Sequence, residues 1–272
     1  MRFGLDIAQQ RLEWDEIESR AHFAEDAGFD GVWGFDHFQP MYGEGPGPCF
    51  EGWTTLAALA GSTNRVRLGL LVTGNTYRHP SLLASEVVTV DHASRGRVEL
   101  SLGAAWFGYE HQALGWEFPD IGERIERLEE ALQVINLLFS GESVSFDGAH
   151  YKLRGAQMLP KPVQEPRPPI WIGAGGERKT IPLAARYADV WHSYGGIADL
   201  RRKSLILDEH AELAGRDPAS ILRAASLSIS RPLDETRREI DELRDAGFGY
   251  LIAGWPGEGR AKVEEFVGAV FE

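Results

Sequence analysis

Cysteine is almost absent: Cys49 stands alone among 272 residues. One thiol cannot close an intrachain disulfide or build a cysteine metal cluster. Cys49 therefore reads as a small, partly buried apolar residue. Basic residues are scarce relative to acidic ones, 28 Lys and Arg against 41 Asp and Glu, for a net charge of −13. Such a field repels phosphate backbones, which argues against a nucleic-acid partner. No uncharged apolar run is long enough to span a bilayer, and Met1-Arg2-Phe3-Gly4-Leu5-Asp6 lacks a signal-peptide core. A soluble, cytoplasmic protein without membrane contact is expected. No metal site is expected either, because no His-x-His lies near the first strand and no cysteine ligand set exists.

What is present is alternation. At about 150 residues per domain, the length allows one or two domains, whereas a barrel of strand–helix pairs uses about 250 residues as one. With 43% hydrophobic and 25% charged residues, the composition is that of a globular chain. Strands are expected at 3–8, 30–35, 66–72, 98–102, 169–173, 188–192, 222–229 and 248–253. Helices fall between them at 14–28, 52–62, 80–94, 177–187, 197–214, 234–246 and 257–271. The fourth helix is the clearest. Pro119 and Asp120 open it, Ile121, Ile125, Leu128, Leu132, Ile135 and Phe139 form one stripe, and Gly141 closes it. Residues 143–168 break the rhythm with a hairpin-like Val144–Tyr151 and a proline-rich run. Eight strands alternating with eight helices predict an α/β fold, a parallel (β/α)8 TIM barrel over 1–272, with 143–168 inserted after helix four. A doubly wound open sheet is the alternative, but it does not need eight near-equal units.

In such a barrel, ligands bind at the C-terminal ends of the strands. Strand two ends in Asp36-His37, strand three in Thr73-Gly74-Asn75, strand four in Gly103-Ala104-Ala105 and strand five in Gly173-Ala174-Gly175-Gly176. An imidazole can pass a proton near neutral pH, so His37 is a candidate acid or base, though a structural His–Asp pair is the plainer reading. Alternation along the strand points Asp36 away from it. The turn Gly173–Gly176 leads to Arg178 and Lys179, a place for a phosphate or merely a tight turn. It is not the dinucleotide fingerprint, because Arg178 stands where the third glycine falls. Gly103, Ala104 and Ala105 leave room for a flat ligand, with Trp106, Phe107, Tyr109 and Trp116 following. Together these features suggest a planar ring with a phosphate-bearing tail.

The order and spacing of several stretches resemble the luciferase-like monooxygenase superfamily, in its branch using the deazaflavin coenzyme F420. They include Gly28–Trp33 with Asp36-His37-Phe38, Arg67–Pro80, Gly103–His111, Gly122–Leu132 and Pro160–Pro162 with Pro168–Gly176. The resemblance implies a hydride transfer between the deazaflavin and a small organic substrate. His37 would move the proton, Asp36 would set the ring's surroundings, and Glu110 and His111 are further proton-handling candidates. Asp36, Leu71, Val72, Thr73, Asn75, Gly103, Ala104 and Ala105 would surround the ring, and Gly173, Ala174, Gly175 and Gly176 would take the phosphate. A bulged third strand, often with a non-proline cis peptide, would fall within 71–74. Two features depart from the sugar-phosphate dehydrogenase branch. Met41 replaces a tryptophan, and Trp106 falls where an ungapped alignment puts that branch's acidic proton donor. FMN with a partner reductase, or a non-catalytic deazaflavin-binding role, are the alternatives. A homodimer is expected from the resemblance alone.

Overall fold

A parallel strand covered on both faces must be apolar or small nearly throughout. Eight segments of the computed structural model, which describes residues 1–271, meet that demand. They are β1 (Arg2–Asp6), β2 (Gly31–Gly34), the broken pair β3 (Arg67–Leu70) and β4 (Thr73–Gly74), β5 (Val98–Gly103), β8 (Ile170–Gly173), β9 (Val190–Ser193), β10 (Leu222–Ser228) and β11 (Phe248–Gly254). The remaining strands, β6 (Val144–Asp147) and β7 (Lys152–Ala156), form a separate antiparallel hairpin. This is the expected insertion. The barrel order is β3-β2-β1-β11-β10-β9-β8-β5-β4, and β3 also pairs with β5 through Leu68↔Val98. That pairing closes the ring and excludes the open doubly wound sheet.

Nine helices follow among the described residues: α1 (Trp14–Asp26), α2 (Gly52–Ser62), α3 (Pro80–Ala93), α4 (Gly108–Leu114), α5 (Ile121–Phe139), α6 (Thr180–Tyr187), α7 (Ile197–Leu213), α8 (Leu233–Asp245) and α9 (Arg260–Val270). None is long and apolar enough to cross a membrane. In α5 the Asp120 carboxylate accepts from the Glu123 amide at 3.1 Å, and Leu128, Leu132, Ile135 and Phe139 are buried. Asp120 is thus the cap itself, which leaves Pro119 outside the helix, and Ile121 at the first turn is exposed.

Two layers of apolar packing result. The larger lies between strands and helices, and a smaller cluster of Trp33, Trp171, Val190, Ala224, Tyr250 and Ile252 fills the barrel lumen. The Trp33 ring lies against Gly69 so closely that any side chain there would collide with it. Below this layer Glu99 is buried, bonded to Arg67 and to the Trp171 indole N–H.

Three expectations shift in detail. The third strand breaks into β3 and β4 around the Leu71–Val72 peptide, which is cis and lies in the 71–74 window. The helix expected from 177 begins at Thr180, because 174–179 is a turn. Helix α4 was not expected, since it is short and its outward residues Tyr109 and Leu114 give no amphipathic stripe.

Candidate active site

Strand alternation sends Phe35 and His37 to one side of β2's extension and Asp36 to the other. His37 is 7% exposed, and Glu110, from the first turn of α4, is fully buried beside it. The His37 Nδ1–H donates to Glu110 Oε1 at 2.6 Å, and the Phe38 amide donates to Oε2 at 2.8 Å. The Tyr77 hydroxyl also donates to Oε1. Burial alone would raise the Glu110 pKa. The bonds from His37, Tyr77 and Phe38 more than reverse this and hold it below the usual range. An ionised carboxylate only accepts, so Nδ1 carries a proton, and in the neutral form of the ring the lone pair lies on Nε2. Nε2 has no hydrogen-bond partner among the described residues. Phe35, Phe107 and Trp106 ring His37 at centroid distances of 5.8, 5.5 and 5.8 Å. Burial, then Glu110, pushes the Tyr77 phenol up and keeps it a neutral donor.

On the other side, Asp36 meets Arg78 in a two-point pair at 2.6 and 2.9 Å. Arg78 also binds Glu51 and approaches Glu86 at 3.2 Å. Burial disfavours the guanidinium charge, but Asp36, Glu51 and Glu86 outweigh it and raise the Arg78 pKa. Glu51 in turn caps α2, accepting from the Trp53 and Thr54 amides. This cluster ties the end of β2 to the starts of α2 and α3. Asp36 is spent on Arg78, so it supports the His37 side from behind rather than lining the mouth.

Val72 forms a half-buried platform. A Cβ at Gly103 would lie 2.7 Å from Val72 Cγ2, and one at Gly173 would lie 3.0 Å from Cγ1. These glycines therefore make room for Val72, which then presents itself to the mouth. Leu71 packs on the lumen cluster. Ala104 and Ala105 are half-buried next to the platform. Asn75 is buried, and its Nδ2 donates to the Arg124 carbonyl at 3.1 Å. Its Oδ1 is a buried acceptor without a partner among the described residues. In the turn after β8, Gly175 and Gly176 are exposed, and a Cβ at Gly175 would meet only Lys203 Nζ at 3.8 Å. A platform, an orphaned acceptor and an open glycine turn, beside a lysine that also pairs with Asp199 at 2.6 Å, fit a flat polar ring with an anionic tail held chiefly by backbone amides.

Two expected contacts are corrected. Thr73 is fully buried and its hydroxyl accepts from the Trp53 indole at 3.1 Å, so it faces the helices. Ala174 is buried in the outer core, and its amide donates to the His192 carbonyl at 3.1 Å. Tyr77 and Arg78 were missed, although both follow the C-terminal end of the third strand, where the barrel rule places ligand contacts. His111, a further candidate, is tied to Thr76 at 2.7 Å and to the Phe107 carbonyl at 2.9 Å. Across the mouth, His192 lies next to the end of β9, four strands from β2 in either direction. Burial pushes its pKa down to about 4, and its Nε2 meets Ser226 at 3.2 Å. An open groove of about 670 Å3 lies elsewhere, beside Gln133, Phe146 and Tyr187. Its Arg167 and Arg186 are already paired with Asp189 and Glu129.

Comparison with known proteins bears on the mouth. A family model described as luciferase-like monooxygenase matches residues 1–265. An F420-dependent glucose-6-phosphate dehydrogenase from Microbacterium testaceum is 35% identical over 79% of this chain and 64% of its own length. An F420-dependent hydroxymycolic acid dehydrogenase from Mycobacterium tuberculosis is 32% identical over 82% of this chain and 61% of its own. The chain thus spans less than two thirds of these relatives. A solved F420-dependent secondary alcohol dehydrogenase superposes with a TM-score of 0.90 at 20% identity, covering 99% of this chain and 98% of its own, which shows the fold.

Proposed function

Because this chain belongs to the luciferase-like monooxygenase family, we propose that it is an oxidoreductase using coenzyme F420 on a small organic substrate. The names of its relatives support the cofactor. The observation that carries the reading is the His37–Glu110 pair at the barrel mouth beside the Val72 platform. When bound, the deazaflavin supplies two-electron hydride exchange. Everything else falls to the chain. Val72 and Asn75 would hold and orient the ring, and the Gly175–Gly176 turn with Lys203 would hold the anionic tail. His37 Nε2 takes the substrate's proton as hydride leaves, or returns it when hydride arrives. Glu110 keeps Nδ1 protonated and steadies the charge that forms on the ring, and Tyr77 fixes Glu110. A cytoplasmic homodimer is part of the same proposal, and its mass in solution checks that part.

The test is a thermal shift with F420 and, separately, with FMN. F420 should raise the melting point, because a ligand that binds only the folded state stabilises it. FMN alone doing so would replace this reading with an FMN monooxygenase. F420 binding with turnover of a substrate panel unaffected by His37→Ala would reduce the protein to a carrier.

A further inference from the structure

Charge and aromatic surface are distributed unevenly around the mouth. The segments after β1, β2, β4 and β5 contain no lysine. Their arginines are occupied. Arg11 donates to the Tyr42 and Gly45 carbonyls. Arg78 is held by three carboxylates. Arg124, at the start of α5, donates to the Ala104 and Pro119 carbonyls at 3.0 and 2.5 Å. The exposed Arg178 and Lys179 follow the glycine turn after β8 in sequence instead, and Lys203, paired with Asp199 at 2.6 Å, lies 3.8 Å from the Cβ position of Gly175. Among the described residues the arginines on the His37 side are thus already engaged by backbone carbonyls or carboxylates, none is set towards His37, and the net charge of −13 opposes an anion further.

Aromatic surface fills that side instead. Among the described residues, the exposed tyrosines and tryptophans are Tyr42, Trp106, Tyr109, Trp116 and Tyr194. All follow the C-terminal end of a barrel strand; Tyr194, after β9, lies across the mouth, while Tyr42 follows β2 and Trp106, Tyr109 and Trp116 come from the one segment after β5. Trp106 is 64% exposed, yet its ring meets His37 edge-on at 5.8 Å. An indole left in water beside a proton-transfer group offers a flat apolar surface at the reacting centre.

We propose that the substrate exchanging its proton with His37 is an uncharged organic molecule with a flat apolar body seated against Trp106, and not a phosphorylated or carboxylated one. This rests on the deazaflavin reading and deepens it. Trp106 is the specificity-determining residue. Its exposure means that truncation removes little folding energy.

The experiment titrates F420-saturated protein with acetophenone and with glucose 6-phosphate, followed by calorimetry. Acetophenone should bind at least about tenfold more tightly than glucose 6-phosphate. Trp106→Ala should weaken acetophenone about tenfold, and Trp106→Phe, which restores a ring, should recover most of the loss. Tighter binding of glucose 6-phosphate, or no effect of Trp106→Ala on acetophenone, overturns the proposal. So does a change in the protein's mass in solution on Trp106→Ala with no acetophenone binding, which would make the aromatic collar a protein contact. Absence of F420 binding in the loading step sinks the deazaflavin reading itself. F420 binding without acetophenone binding sinks only the substrate class.

Discussion

Glu99 and Glu110 belong to the same strand–helix unit and are both buried, but they sit at opposite ends of the barrel. Glu99, near the start of β5, is bonded to Arg67 and the Trp171 indole. Glu110, after the end of β5, is bonded to His37, Tyr77 and the Phe38 amide. Both are carboxylates removed from water and repaid by directed donors. The difference lies in the donors. A guanidinium and an indole keep their protons at any ordinary pH, so at the Glu99 end only the carboxylate titrates, and burial pushes its pKa up against the pull of Arg67 and the Trp171 indole. An imidazole can give up or gain a proton, and its free Nε2 has nothing else to do. On the proposed reading, the two ends differ in that only the Glu110 carboxylate faces a titratable partner, and in which end of the strand each occupies.

The widest separation between the two ends should appear in stability. Glu99→Ala leaves Arg67 and the Trp171 indole without their acceptor, and removing one partner from such a buried pair costs about 3–5 kcal/mol. Arg67 retains some access to water, which favours the lower figure. Urea unfolding should show the loss, while the F420 affinity of the folded protein stays unchanged. If F420 affinity fell in step with stability, the two ends would not be separable.

Glu110→Gln should do the opposite. The amide cannot hold the Nδ1 tautomer or balance an imidazolium, so turnover should fall about a hundredfold, or about 2.7 kcal/mol in the barrier. The unfolding midpoint should move less than in Glu99→Ala. Turnover within a factor of two of the parent would remove His37–Glu110 from the mechanism and leave Glu110 a purely structural acid.

This contrast explains how far reading the chain alone could go. The alternation of strands and helices was legible because both periodicities are local. The strand-end rule then singled out His37, Gly103 and the Gly175–Gly176 turn, which lie at or just after the C-terminal ends of β2, β5 and β8. It could not show that Glu110 reaches back 73 positions to His37, because that contact depends on where the unforeseen α4 begins. It also misplaced Thr73. Side chains alternate faces along a strand, so the break around Leu71–Val72 resets which residues face inward. Val72 thereby takes the mouth position, while Thr73 turns to Trp53. Ala174 failed for a related reason: its amide continues the pairing with β9 beyond the formal strand, which turns its methyl into the core.

The smallest effect comes from the cluster behind His37, and it extends the comparison to a third carboxylate. Arg78 faces Asp36, Glu51 and Glu86, so one positive charge meets three acids. Burial pushes the Glu86 pKa up to about 7 despite the pull of Arg78, with Glu51 and Asp36 adding to the rise. A folded-state pKa above the unfolded value means that the native state binds the proton more tightly. Its contribution is complete below the ordinary pKa of 4.5 and is lost as pH rises through about 7. Glu86 retains partial contact with water, so screening reduces the effect to about 1 kcal/mol. Glu86→Gln removes the titration. Paired melts at pH 5 and pH 8 should therefore show the parent losing stability relative to the variant as pH rises. Equal differences at the two pH values would mean that Glu86 stays ionised in the folded protein. Glu86 would then drop out as a pH-sensitive part of the support behind His37, leaving buried Asp36, whose pKa burial also pushes up, as the acid there to test.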